Sequence, residues 1–76
     1  MLEVIILSMQ KILFEGRAKS VILPGEKGVF EVLPFHKPLL SRLVTGPLLI
    51  DGERFFIRRG VAKVMLNKVM VVVEEG

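Results

Sequence analysis

Apolar residues fall in short blocks along this chain, and turn-forming pairs separate them. The blocks Leu2–Leu7, Ile12–Phe14, Lys19–Leu23, Val29–Leu33, Leu48–Ile50, Arg54–Arg58, Val61–Leu66 and Val69–Val73 are rich in valine, isoleucine and phenylalanine. Such runs read as strands. Pro24-Gly25, Lys27-Gly28, Gly46-Pro47, Asp51-Gly52 and Asn67-Lys68 punctuate them. Only Pro38–Leu43 leaves room for a helical turn, and it is too short to matter.

Asp51-Gly52 is a strong hairpin signal, because glycine accepts the positive φ of a tight turn. It predicts that Leu48–Ile50 and Arg54–Arg58 are antiparallel neighbours. Asn67-Lys68 is a weaker form of the same device, and joins Val61–Leu66 to Val69–Val73. With no helix-length segment between strands, a parallel sheet is not expected. The predicted fold is all-β, a small antiparallel β-sandwich or flattened barrel of about eight to ten short strands in a single domain, residues 1–76. The run "VMVVV" at Val69–Val73 is apolar on both faces, so cover on both sides is expected.

Length and composition narrow the classes. A chain of 76 residues buries only about 60–65% of its unfolded surface. Without cysteine, and with one histidine, neither disulfides nor a multi-histidine metal site can reinforce it. Apolar residues make up 51% of the chain and mean hydropathy is +0.58, which favours association with a partner. The absence of cysteine fits a reducing compartment. Glu3 interrupts the first apolar block and no basic stretch precedes it, which argues against a signal peptide. No run approaches the roughly 20 apolar residues needed to span a bilayer. A net charge of +3 with acids and bases interspersed describes a mixed solvated surface better than a nucleic-acid groove.

Catalysis is not expected, and neither a catalytic residue, a metal nor a cofactor is assigned. Ser20 or Ser41, His36 and Asp51 could be drawn as a triad, yet Asp51 belongs to a turn and no nucleophile elbow surrounds either serine. "GEKGVF" lacks the spacing of a phosphate loop. Glu74-Glu75 read as a solubilising pair. Nucleic-acid binding is the fairer rival, because Phe55 and Phe56 lie beside Arg54, Arg58 and Arg59. Strand alternation sends the two phenylalanines to opposite faces, so at least one belongs to the core.

The stretch "LPGEKGVFEVLPFHKPLL", Leu23–Leu40, concentrates three prolines, two glycines and the only histidine. Prolines keep a backbone out of a sheet centre. Phe35, Leu39 and Leu40 are therefore apolar residues on a surface loop, where they either fold back or meet a partner.

Together with "LFEG" at Leu13–Gly16, "LVTGPLLI" at Leu43–Ile50 and "RGVAKVMLNKVMVVVEE" at Arg59–Glu75, this stretch resembles, from end to end and in order, the N-terminal β-sandwich domain of the epsilon subunit of F-type ATP synthases. The resemblance implies a non-catalytic central-stalk subunit. Such a subunit docks gamma onto the membrane c-ring, and couples ion-driven rotation to ATP synthesis from the cytoplasmic face of the cell membrane. It implies that Phe35, His36, Lys37, Leu39, Leu40, Ser41 and Arg42 face gamma, and that Glu26, Lys27, Val29 and Glu31 face the ring. Departures from the family pattern fall at Phe35, Lys37, Val29, Glu31, Arg59 and Lys63. The resemblance stops at Gly76, ahead of the family's C-terminal helical hairpin, so regulation by that hairpin is not expected from these residues. The alternative is a stand-alone basic β-sandwich module that self-associates or binds nucleic acid.

Overall fold

The computed structural model of the chain describes residues 1–75. Its elements, in order, are β1 (Leu2–Leu7), β2 (Ile12–Ala18), β3 (Val21–Gly25), β4 (Gly28–Val32), β5 (Leu39–Leu43), β6 (Gly46–Ile50), β7 (Glu53–Met65) and β8 (Lys68–Glu75). Hydrogen bonding runs in the order β2-β1-β8-β7-β5-β3-β4, and β6 bridges β3 and β7. Because β3 pairs with both β5 and β6, and both pair with β7, these four strands form a closed ring. The result is the all-β sandwich or flattened barrel that the strand pattern predicts.

β7, the longest strand, pairs with β5, β6 and β8. Its first part pairs with β6 and its second with β5 and β8, with a register shift between Ile57 and Arg59. A shift of this kind bends a strand and increases its twist. Gly60 follows the bend, where a Cβ would lie 2.5 Å from the Val72 carbonyl oxygen and 2.9 Å from Val73 Cγ1. Only glycine lets β7 and β8 approach so closely there.

Alternate residues of every strand face inward. Leu2, Val4 and Ile6 on β1 and Val69, Val71 and Val73 on β8 are at most 2% exposed. Leu23, Leu48, Ile57 and Val64 meet them from the other strands. Each such side chain contributes about 1.5–3 kcal/mol on burial. Phe14 and Phe55 close the core edge-to-face, with ring centroids 6.1 Å apart. Since β2 and β7 are not paired, this contact joins two strands that the hydrogen-bond ladder keeps apart.

Both predicted hairpins form. Asp51 and Gly52 have φ of 47° and 87°, the double left-handed geometry that suits strand twist. In the last hairpin Met65 pairs with Lys68, so the turn is Leu66-Asn67 (φ 50° and 61°) rather than Asn67-Lys68. Tertiary pairing overrides the sequence pattern in three further places. Leu39–Leu43, read as a loop or at most a helical turn, is β5, because register with β7 buries Leu43 and half-buries Leu39. Arg54–Arg58 and Val61–Leu66 are one strand, not two. And β1 runs parallel to β8, because the long intervening chain provides the crossover that a parallel pair needs. The expected cover on both faces of Val69–Val73 is also absent from the described residues. Met70 and Val72 remain 49% and 47% exposed, and β8 is protected by lying between β1 and β7 rather than at an edge.

Candidate docking surface

The stretch from Leu23 to Arg42 gathers around one groove. β3 holds β4 along its whole length but touches β5 only at the Gly25–Leu43 pair, so β4 and β5 diverge. The open groove between them has a volume of about 590 Å³. Its walls include His36, Leu39, Leu40, Ser41 and Arg42 from one side, and Glu26, Lys27 and Val29 from the other. Gly25 forms the floor. A Cβ there would fall 2.7 Å from both the Phe30 ring and the Gly28 carbonyl oxygen, so glycine lets the ring lie over the backbone. Two backbone bonds lock the far end, Glu26 N–H to the Arg42 carbonyl (3.0 Å) and Val44 N–H to that of Pro24 (2.9 Å).

The two residue sets expected to meet different partners therefore share a boundary. Three expected residues lie off the groove walls. Glu31, on the outer side of β4, accepts a hydrogen bond from Ser20 Oγ (2.6 Å). Lys37 is exposed. Phe35 stands 89% exposed at the tip of its loop. Leu40 and Val29 are 72% and 74% exposed, far more than apolar residues of a finished core.

The loop itself is fixed. Phe35 has φ 67°, a left-handed conformation uncommon outside glycine, asparagine and aspartate. Its N–H donates to Asn67 Oδ1 at 2.6 Å. The next N–H, of His36, closes a turn on the Leu33 carbonyl at 3.1 Å. His36 is half-buried and its Nδ1 lies 2.7 Å from the Lys37 carbonyl oxygen, which can only accept, so the proton sits on Nδ1. These contacts are structural ones.

The residues of the imagined triad are engaged elsewhere. Asp51 accepts from the backbone N–H groups of Lys19 and Ser20, both at 3.0 Å. Ser41 Oγ donates to the Arg42 carbonyl. Among the described residues no three histidine or carboxylate side chains converge on a metal position. For nucleic acid, Phe55 turns into the core and Phe56 is 59% exposed, so the pair beside Arg54, Arg58 and Arg59 does not form the successive platforms that strand binding uses.

Two exposed residues escaped the sequence reading. Leu66 is 84% exposed and Met65 46%, because the turn begins at Leu66 and not one residue later. The signal was present in the apolar residue directly preceding Asn67: inside a two-residue turn such a side chain has no sheet face to join.

Residues 1–76 match the family model "ATP synthase, Delta/Epsilon chain, beta-sandwich domain". The chain belongs to this family. It is 38% identical over 78 residues to the ATP synthase epsilon chain of Bordetella petrii, aligning 96% of this chain with 55% of that relative. With the ATP synthase epsilon chain of Leptospira interrogans it shares 34% identity over 79 residues, covering 99% and 62%. The chain thus spans little more than half the length of the relatives it matches. Its fold is shared with a chain in the cryo-EM structure of the Tetrahymena thermophila mitochondrial ATP synthase central stalk and c-ring (TM-score 0.80, 19% identity, 97% of this chain and 63% of that one). A chain of the Euglena gracilis mitochondrial ATP synthase aligns still better (TM-score 0.89, 17% identity, 97% and 51%).

Proposed function

We propose that this domain is the epsilon-type, non-catalytic part of an F-type ATP synthase central stalk. It docks gamma onto the membrane c-ring and lies peripherally at the cytoplasmic face of the cell membrane. The single observation that carries the reading is the pairing of a well-buried core with apolar residues left outside it in the stretch Leu23–Leu40. Phe35 and Leu40 are 89% and 72% exposed, although Leu43 on β5 and Val64 on β7 are at most 3% exposed. Buried anchors supply most of the affinity of a protein interface. On this reading Phe35, Leu39 and Leu40 anchor gamma, with His36 and Ser41 inside the same footprint. Lys37 and Arg42 set register and association rate. The turn with Glu26 and Lys27, continued by Val29 and Glu31 on β4, meets the ring.

The test is binding by variants that keep the fold. Leu40→Asp is expected to abolish association with the same organism's gamma subunit while the far-ultraviolet circular dichroism and melting midpoint stay close to those of the parent. Unfolding of Leu40→Asp would place Leu40 in the core. Undiminished binding would remove β5 from the interface.

A further inference from the structure

Two of the most exposed apolar side chains outside the termini, Phe35 at 89% and Leu66 at 84%, belong to loops 31 residues apart that one hydrogen bond joins. That bond, Phe35 N–H to Asn67 Oδ1, is 2.6 Å long. Phe35, Leu66 and Asn67 all have positive φ, at 67°, 50° and 61°. For a bulky residue such as leucine or phenylalanine this is a genuine outlier. At Leu66 and Asn67 the two-residue turn requires that geometry, whereas at Phe35 it holds an apolar side chain away from the core, which points to use rather than to packing.

The surroundings extend the feature. Where β5 pairs with β7, next in sequence to both loops, lies an open dip of about 390 Å³ whose walls include Pro38, Leu40, Lys63 and Met65. The charged side chains on these segments are Lys37, Lys63 and Lys68, with no carboxylate in residues 33–38 or 63–68. Of the neighbouring strands, β1 places Glu3 opposite Lys68. The two bonded loops and the strand ends beside them thus carry exposed apolar side chains among three lysines and one carboxylate, that of Glu3.

We propose that the Leu66-Asn67 turn is a second contact of the docking surface, and that Asn67 is the positioning residue that holds Phe35 ready for the partner. The occupant is a protein surface with apolar sockets and carboxylates on its rim. Charge complementarity selects the carboxylates. The fixed spacing of the two anchors selects a protein, because a fluid bilayer gains nothing from a rigid relation between two inserted side chains. Prior ordering lowers the entropic cost of binding. The inference rests on the docking role proposed above, and names the part of this chain that deepens it.

Two substitutions separate contact from structure. Leu66→Asn suits a left-handed turn position better than leucine does and removes the exposed apolar side chain. It is expected to leave the melting midpoint unchanged or raised while weakening binding to the same organism's gamma subunit by about fivefold or more. Asn67→Gly keeps the positive φ but deletes the Oδ1 acceptor. It is expected to speed hydrogen exchange at the Phe35 amide and to weaken binding by a lower association rate. If the parent domain binds gamma and Leu66→Asn binds as tightly, the second contact is refuted. If Asn67→Gly leaves both Phe35 exchange and association rate unchanged, the positioning role is refuted. If the parent domain binds no gamma at all, the docking reading fails and this inference with it. Binding to anionic phosphatidylserine vesicles that Leu66→Asn abolishes would overturn the choice of a protein occupant.

Discussion

Removing the side chain of Asp51 should weaken the domain more than its exposed position suggests. The carboxylate accepts from two successive backbone N–H groups, Lys19 and Ser20, while the Asp51 N–H donates to the Ser20 carbonyl at 3.1 Å. One turn residue thereby clasps the β2–β3 connection to the β6–β7 hairpin. Asp51 also has φ 47°, which aspartate tolerates and alanine does not. In Asp51→Ala, water can replace part of the lost acceptors, leaving about 0.5–1 kcal/mol for each N–H. The left-handed alanine adds about 1 kcal/mol, for a combined loss of about 2–3 kcal/mol. A domain of this length has about 4–11 kcal/mol in total, so the midpoint should fall by about 10–20 °C. Asp51→Asn retains an acceptor and the left-handed preference, and should lose less than about 1 kcal/mol. Urea unfolding of the three proteins, followed by circular dichroism, measures the series. Asp51→Ala within about 0.5 kcal/mol of the parent, or Asp51→Asn as weak as Asp51→Ala, would refute the clasp.

Gly60→Ala should cost about 1–3 kcal/mol, because the added methyl meets the Val72 carbonyl and the β7–β8 ladder must move apart. A midpoint in urea equal to that of the parent would show that the bend absorbs it. Phe55→Ala and Phe56→Ala should differ sharply although the residues are adjacent. The first breaks the Phe14 contact and the packing behind it, at about 2–4 kcal/mol; the second should stay within about 0.5 kcal/mol. Equal losses on thermal unfolding would contradict the inward-outward assignment on β7.

The sequence displays the fold wherever local chemistry and tertiary pairing agree. Valine and isoleucine blocks became strands, and Asp51-Gly52 became a tight hairpin, because each preference is settled within a few residues. It misleads where a distant partner decides. Leu39–Leu43 carries a proline before it and a serine and arginine within it, and nothing local announces that Ala62 and Val61 wait opposite Ser41 and Arg42. The parallel pairing of β1 with β8 joins the two ends of the chain, a relation no short window contains. For the candidate site, prolines and lone apolar residues pointed to apolar surface, and Phe35 and Leu40 are exposed while Leu39 is half-buried. Leu66 was hidden by a single-residue error in the turn, since a shift of one reverses which way a strand residue points. The bond from Asn67 to Phe35 spans 32 positions and had no local signal at all.

The most direct test of the docking account is co-expression of the tagged chain with the same organism's gamma subunit, with the purified product weighed by native mass spectrometry. The account predicts a stoichiometric complex that Leu40→Asp dissolves without unfolding the domain. A folded monomer or homo-oligomer beside free gamma would contradict it.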